Sequence, residues 1–235
     1  MALPTIESPK YSVRLPSTGK TIEYRPFLVK EEKVLLMAQE SGSPREMVTA
    51  MKDIIKACTF NKVDPNALTS YDLEFMFLKL RAKSVGETST IKIKCDKCEA
   101  FTPVDVDIDN VTLDVPQDKV NIMLTDTVGI TMRHIRVRDM GNLTDTKDQG
   151  DLINDTVIAS IESIFDADHV YPTDTEKKEE LVKFVNSLNR AQMKEIESYI
   201  ANTPKVSCDV KFKCCNGECG HENKVSLTGI QSFFD

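Results

Sequence analysis

Two short cysteine-bearing segments, built alike and separated by more than a hundred residues, limit the fold of this chain more than any other feature. Ile91-Lys-Ile-Lys94 leads into Cys95-Asp-Lys-Cys98 and then Val104-Asp-Val-Asp-Ile108. Val210-Lys-Phe-Lys213 leads into Cys214-Cys-Asn-Gly-Glu-Cys219 and then Lys224-Val-Ser-Leu227. Each copy alternates apolar and polar residues on both sides of its cysteines, so each reads as a β-hairpin with a cysteine pair at its tip. Zinc takes four ligands in a tetrahedron and favours thiolates, so two such tips complete one site. The first tip supplies Cys95 and Cys98. The second offers Cys214 or Cys215 together with Cys219; alignment of the two copies favours Cys214, and His221 is an alternate fourth ligand. Gly217 and Gly220 give the second loop the backbone freedom that wrapping a metal requires. A Zn2+ held by four cysteines has no open position for water, so it is expected to be structural and not catalytic. A dithiol redox pair is disfavoured, because that motif belongs at a helix N-terminus and strands flank both pairs here.

A shared site dictates topology, since the chain must leave one hairpin and return to the other. The expected fold class is α+β, with a helical region and a zinc-ribbon-like pair of β-hairpins interrupted by an inserted β-meander and three-helix segment. The expected organisation is an N-terminal β-hairpin in 1–29, a helical region in 30–86, a discontinuous zinc-ribbon-like module in 87–110 and 205–228, an insertion in 111–204 and a tail in 229–235. A length of 235 residues suffices for one large domain or two modest ones. Seven cysteines, an odd count, without a recognisable secretory segment suit reduced thiols or metal thiolates better than a disulfide framework. The longest apolar runs fall far short of the roughly 20 residues of a membrane span, so no membrane association is expected.

Local patterns fill in this frame. Tyr11–Leu15 and Thr21–Arg25 alternate around Pro16-Ser-Thr-Gly19, a hairpin signal. Lys30–Gln39 reads as a helix, and Ser43-Pro44-Arg45-Glu46 supplies a cap, a first-turn proline and a capping acid for a second. Met47, Met51, Ile54, Ile55 and Cys58 share one face of that second helix, which makes Cys58 a packing residue. Leu73, Phe75, Met76, Phe77, Leu78 and Leu80 surround a third helix with apolar side chains, so it should be buried on more than one side. Strands are expected at Val111–Val115, Val120–Leu124 and Ile130–Val137. Helices are expected across Ile153–Ile164, Leu181–Leu188 and, after the cap-like Asn189-Arg-Ala-Gln192, through Ile200.

The search for chemistry returns little. The chain lacks a phosphate-binding Gly-x-x-x-x-Gly-Lys-Ser/Thr, a Gly-x-Gly-x-x-Gly and a Gly-x-Ser-x-Gly elbow. His134 and His169 have no motif companions and read as solvated or hydrogen-bonded residues. Asp105, Asp107 and Asp109 resemble the start of a calcium loop that then lacks its glycine and its glutamate. Arg133, Arg136 and Arg138 form a small basic patch. A net charge of −7 argues against a nucleic-acid-binding role. Lys92, Lys94, Lys97, Lys211 and Lys213 beside the cysteine pairs nevertheless keep a zinc-ribbon nucleic-acid-binding or transcription-type factor as the alternative reading.

One family shares several of these features together: Tyr11-Ser-Val-Arg-Leu-Pro-Ser-Thr-Gly-Lys20, Tyr24-Arg-Pro-Phe-Leu-Val-Lys-Glu-Glu-Lys33 running into Leu35-Leu-Met-Ala38, the paired cysteine hairpins, and Gly229-Ile-Gln-Ser-Phe-Phe234. The chain resembles the baseplate hub subunits and hub-assembly proteins of T-even-like contractile-tailed bacteriophages. That resemblance implies a non-enzymatic assembly protein of the host cytoplasm, retained or not in the virion tail baseplate, with the phage tail hub and tape-measure proteins as partners. Within that reading Ile230, Phe233 and Phe234 are candidate contact residues, with intramolecular docking as the competing role.

Overall fold

The computed structural model describes residues 7–113, 115, 119–145 and 148–233. It is an α+β structure that divides into two compact units. One comprises the described parts of Met1–Pro65, Tyr71–Asp114 and Lys205–Asp235; the other comprises Asn66–Ser70 and the described parts of Val115–Pro204.

The first unit opens with the antiparallel hairpin β1 (Tyr11–Arg14) and β2 (Thr21–Tyr24), paired from Tyr11↔Tyr24 to Arg14↔Thr21. Gly19 closes its turn at φ +67°, where a side chain would also crowd the Arg14 guanidinium. The chain then enters α1 (Val29–Ser41) and α2 (Pro44–Cys58). Glu31 begins α1 by accepting from the Leu28 amide at 2.7 Å and from Arg25 Nη2 at 3.0 Å. Gly42, left-handed at φ +64°, ends it. Ser43 caps α2 by accepting from the Glu46 amide at 3.4 Å, and Pro44 occupies its first turn. Ala50, Met51, Ile54, Ile55 and Cys58 form the buried face of α2. Burial pushes the Cys58 thiol up to about 11, against the opposing pull of Arg25, consistent with a packing role.

Helix α3 (Ser70–Ser84) buries Tyr71, Asp72, Leu73, Met76, Phe77, Leu78, Leu80 and Ala82, as its all-round apolar pattern requires. Buried Asp72 accepts from the Ser17 amide at 3.1 Å and from the Ser17 hydroxyl, joining the β1–β2 turn to this helix. Phe27 N–H donates to Ser84 Oγ at 2.9 Å, which fixes the other end of α3 to the Arg25-Pro-Phe27 segment.

Two further antiparallel hairpins complete the unit. Strand β3 (Thr88–Lys94) pairs with β4 (Phe101–Asp107), and β9 (Ser207–Lys213) with β10 (Glu222–Thr228). Alternation sends Ile91, Ile93, Val106, Val210 and Leu227 into one core with Leu78 and Ala82 of α3, Ile108, Val111 and Val206. Cys208 packs against this core, half-buried. Lys79 and Lys83 of α3 bind Asp109 at 3.1 and 2.8 Å, so the last of the three aspartates that resemble a calcium loop is part of an ion-pair network. Around Thr112 no strand forms among the described residues; a single bridge to Ser207 replaces the strand expected at Val111–Val115.

In the second unit a four-stranded antiparallel sheet runs β5 (Val120–Met123), β6 (Gly129–Met132), β7 (Ile161–Phe165), β8 (Val170–Pro172). Its helices are α4 (Val137–Asp145), α5 (Gln149–Ala159), α6 (Lys178–Asn186) and α7 (Arg190–Ala201). Ile130, Met132, Val157, Ile161, Val185 and Ile196 form the core. Three sequence expectations change here. The helix expected through Ile164 ends at Ala159, because Ile158, Ile161 and Ile164 suit a helical stripe by spacing whereas Ile161-Glu-Ser-Ile-Phe165 pairs with β6. The strand expected through Val137 ends at Met132. Beyond it the Ser70 amide donates to the Ile135 carbonyl at 3.1 Å and the Val137 amide to Leu68 at 2.9 Å, after which Val137 opens α4. Among its described residues the segment therefore carries four helices where three are expected. The arginine patch also resolves differently: Arg133 is buried against Asp139 at 2.9 Å and Arg138 pairs with Asp174 at 2.6 Å. His134 is buried and stacks on Tyr199, with ring centroids 5.4 Å apart.

Glu31, whose side chain is 8% exposed, binds Arg25 and starts α1 at once. Burial raises its carboxyl, but hydrogen bonds from Arg25 and Leu28, with the nearby positive charges, outweigh this and leave it below the usual range. A depressed folded-state value means that the stabilisation is complete above the unfolded value near ~4.3 and disappears as pH falls through the folded one. Urea unfolding across pH 3–7 should show that loss, and Glu31→Gln should lack this part of the pH dependence. At neutral pH, Glu31→Ala should cost about 3 kcal/mol, since it leaves a largely buried guanidinium without its partner.

Candidate metal centre

The two cysteine hairpins reach one another at their tips. The Sγ atoms of Cys95, Cys98, Cys214 and Cys219 all lie within 4.8 Å of one another. Between the hairpins, Cys98 Sγ and Cys214 Sγ are 3.5 Å apart and Cys95 Sγ and Cys219 Sγ are 4.0 Å apart. Sulfurs at the corners of a tetrahedron around an ion about 2.3 Å away would be separated by about 3.8 Å, so the spacing suits a metal. It is far longer than the ~2.05 Å of a disulfide.

Equivalent local folding produces the two tips. In the first, the Cys95 amide donates to the Ala100 carbonyl at 2.9 Å; in the second, the Cys214 amide donates to the His221 carbonyl at 2.9 Å. The residue after the second cysteine is left-handed in both, Glu99 at φ 61° and Gly220 at φ 54°. The two additional residues of the second tip lie between its cysteines and leave this closing geometry intact. Gly220 occupies a position that glycine adopts without strain, whereas Glu99 accepts that conformation at a cost.

Electrostatics favour a cation among these sulfurs. Amides of Cys98 and Lys97 and the Asn223 side chain bring the Cys95 thiol down to about 6, against the opposing effect of burial. At Cys214 the Asn216 amide acts in the same direction, but burial and the neighbouring cysteines outweigh it and push the thiol up to about 12. Four thiolates this close repel one another, and a divalent ion between them removes that penalty. The site could therefore hold a metal, and its all-sulfur donor set is of the kind zinc favours.

Cys215 and His221 are outside this cluster. Cys215 is exposed; its amide donates to Thr102 Oγ1 at 3.1 Å and its thiol to the Phe101 carbonyl at 3.4 Å. His221 is exposed and contributes its carbonyl to the tip. Ile230 is half-buried and packs against the core of the two hairpins. The Phe233 side chain and all of Phe234 lie outside the described residues. Lys94 and Lys224, on the strands nearest the tips, face Glu99 at 3.2 Å and Asp209 at 3.9 Å, so acidic groups accompany the basic ones.

Sequence reasoning missed Asn223 and Thr102, which join the tips. Asn223 is buried; its Oδ1 accepts from the Asp96 amide at 3.0 Å, and its Nδ2 donates to Cys95 Sγ at 3.5 Å and to the His221 carbonyl at 3.2 Å. The only signal for it is strand alternation, which turns position 223 inward where an apolar residue would otherwise be expected. A second group, Asp166, Asp168 and His169, also brings ligand atoms together. Asp166 there accepts from the amides of Asp168 and His169 and from the Tyr171 hydroxyl, so a turn accounts for the grouping.

The family described as T4 bacteriophage base plate protein matches residues 8–235, covering both units and all four clustered cysteines. The chain belongs to that family. It is therefore a structural protein of the phage tail baseplate and associates with other phage tail proteins. No curated protein and no solved structure matches the chain. No helix among the described residues is long and apolar enough to cross a membrane.

Replacing Asn223 with Ala should lower stability by about 1–3 kcal/mol in urea unfolding, because the Asp96 amide loses its partner at a buried junction. Cys215→Ser, a change at an exposed position, should remain within about 0.5 kcal/mol of the parent protein.

Proposed function

We propose that this protein is a baseplate hub component, or an assembly chaperone for the hub and tape-measure proteins, that works by presenting a surface and carries out no reaction. The family match along nearly the whole chain carries this reading. It is supported by the way the chemically distinctive residues are used. Four of the seven cysteines are gathered into one cluster, and His134, Arg133 and Asp139 are engaged in packing and pairing. We further assign Cys95, Cys98, Cys214 and Cys219 as ligands of one structural Zn2+, which would tie the two hairpins together and contribute to folding in the reducing host cytoplasm where assembly takes place.

Capture from infected cells tests the assembly role: the tagged protein should recover the hub or the tape-measure protein, and recovery of neither would contradict it. We place part of the contact at the C-terminus, with Phe233 and Phe234 beyond the half-buried Ile230. Deleting the last three residues should weaken that capture and leave the melting temperature unchanged; a large drop in melting temperature would assign those residues to the protein's own core instead. For the metal, elemental analysis should find one zinc per chain. Cys98→Ser should lose it and melt well below the parent protein, while Cys215→Ser retains it.

A further inference from the structure

Helix α1 is apolar on two faces, and among the described residues its neighbours cover only one. Ala38 is buried on the inner face. On the outer face Val29, Leu36 and Met37 are 66%, 52% and 69% exposed. Single exposed apolar residues are ordinary, but these three recur at i, i+7 and i+8 and so share one stripe. Lys33 and Glu40 stand exposed along the same stripe, three residues before Leu36 and three after Met37. Among the described residues neither has an ion-pair partner.

That spacing is self-complementary in one orientation. If a second α1 lies antiparallel across the first, with a two-fold axis passing between Leu36 and Met37, each Leu36 meets the other copy's Met37. Each Lys33 then faces the other copy's Glu40, twice over by symmetry. A parallel arrangement in register would instead set Lys33 against Lys33 and Glu40 against Glu40. Isologous pairing requires one patch to complement itself, and this patch does so only when antiparallel.

We propose that the outer face of α1 is a self-association surface, whose occupant is the α1 helix of a second copy of this chain in that antiparallel register. Thirteen residues give a helix of about 20 Å, so the buried area falls below the roughly 800 Å² per partner of a stable standard interface. The dimer is therefore weak and forms at high local concentration, as within an assembling baseplate. The proposal does not depend on which tail protein the chain serves.

Sedimentation equilibrium of the full chain over a wide concentration series tests it. The parent protein should pass from the monomer mass to twice that mass. Lys33→Glu and Glu40→Lys should each weaken association by at least about tenfold, because each converts two attractive contacts into repulsive ones. The double variant should recover association, and an equimolar mixture of the two single variants should form a heterodimer at concentrations where neither associates alone. Unchanged circular dichroism and melting would show that the variants remain folded. A parent protein that stays monomeric throughout, a dimer indifferent to both reversals, or failure of the double variant to recover would each overturn the proposal. So would reversals that impair capture of a different tail protein while the parent protein remains monomeric, since the face would then belong to that partner.

Discussion

Four sulfurs gathered within 4.8 Å, two from each of a pair of hairpins remote in sequence, are the constraint to which the first unit is built. Left as thiolates they would repel one another, and left as thiols they would fill a junction with weak hydrogen-bonding groups. A shared divalent ion, as proposed above, would resolve both difficulties. The cluster does not act alone: Asn223 and Thr102 join the tips by hydrogen bonds, and Ile91, Val106, Val210 and Leu227 pack behind them against α3. The loop between the two tips is long, but its closure entropy grows only as the logarithm of its length, to about 4.7 kcal/mol for a hundred residues. Structural zinc binds with about 10–16 kcal/mol, so the proposed ion could pay for that closure with a large margin.

Such an arrangement suits a protein whose product is a shape. Ion pairs and caps are placed at junctions: Arg25 with Glu31 where the first hairpin enters α1, Asp72 with the Ser17 turn, and Lys79 and Lys83 with Asp109. Each ties the end of one element to another element and so fixes geometry where the chain changes direction. This is consistent with membership of a structural baseplate family.

The legible parts of the sequence were those in which one physical rule dominated. Ser43-Pro44 and Asn189 announced helix starts because capping chemistry is local, and the alternation in β3, β4, β9 and β10 announced strands because one face of each is buried. The sequence also singled out the four cysteines that the structure brings together, since two similar hairpin tips have few other uses for paired thiols. Illegibility arose where two rules overlapped. Ile158, Ile161 and Ile164 keep helical spacing through the start of β7, and only pairing with β6 decides for the strand. Residues 133–137 continued an alternating pattern, but long-range bonds to Leu68 and Ser70 draw them away from the sheet and lead the chain into α4 at Val137. Asn223 was invisible because its role depends on what lies opposite it, and a single sequence gives the chemistry of a residue without that of its neighbour.

The proposed shared ion is best tested by loading the protein with cadmium-113 in its place and recording correlations between the metal and cysteine β-protons. A single cadmium resonance coupled to the β-protons of Cys95, Cys98, Cys214 and Cys219 together is the predicted result. Coupling confined to the cysteines of one hairpin, or two resonances each serving its own hairpin, would contradict it.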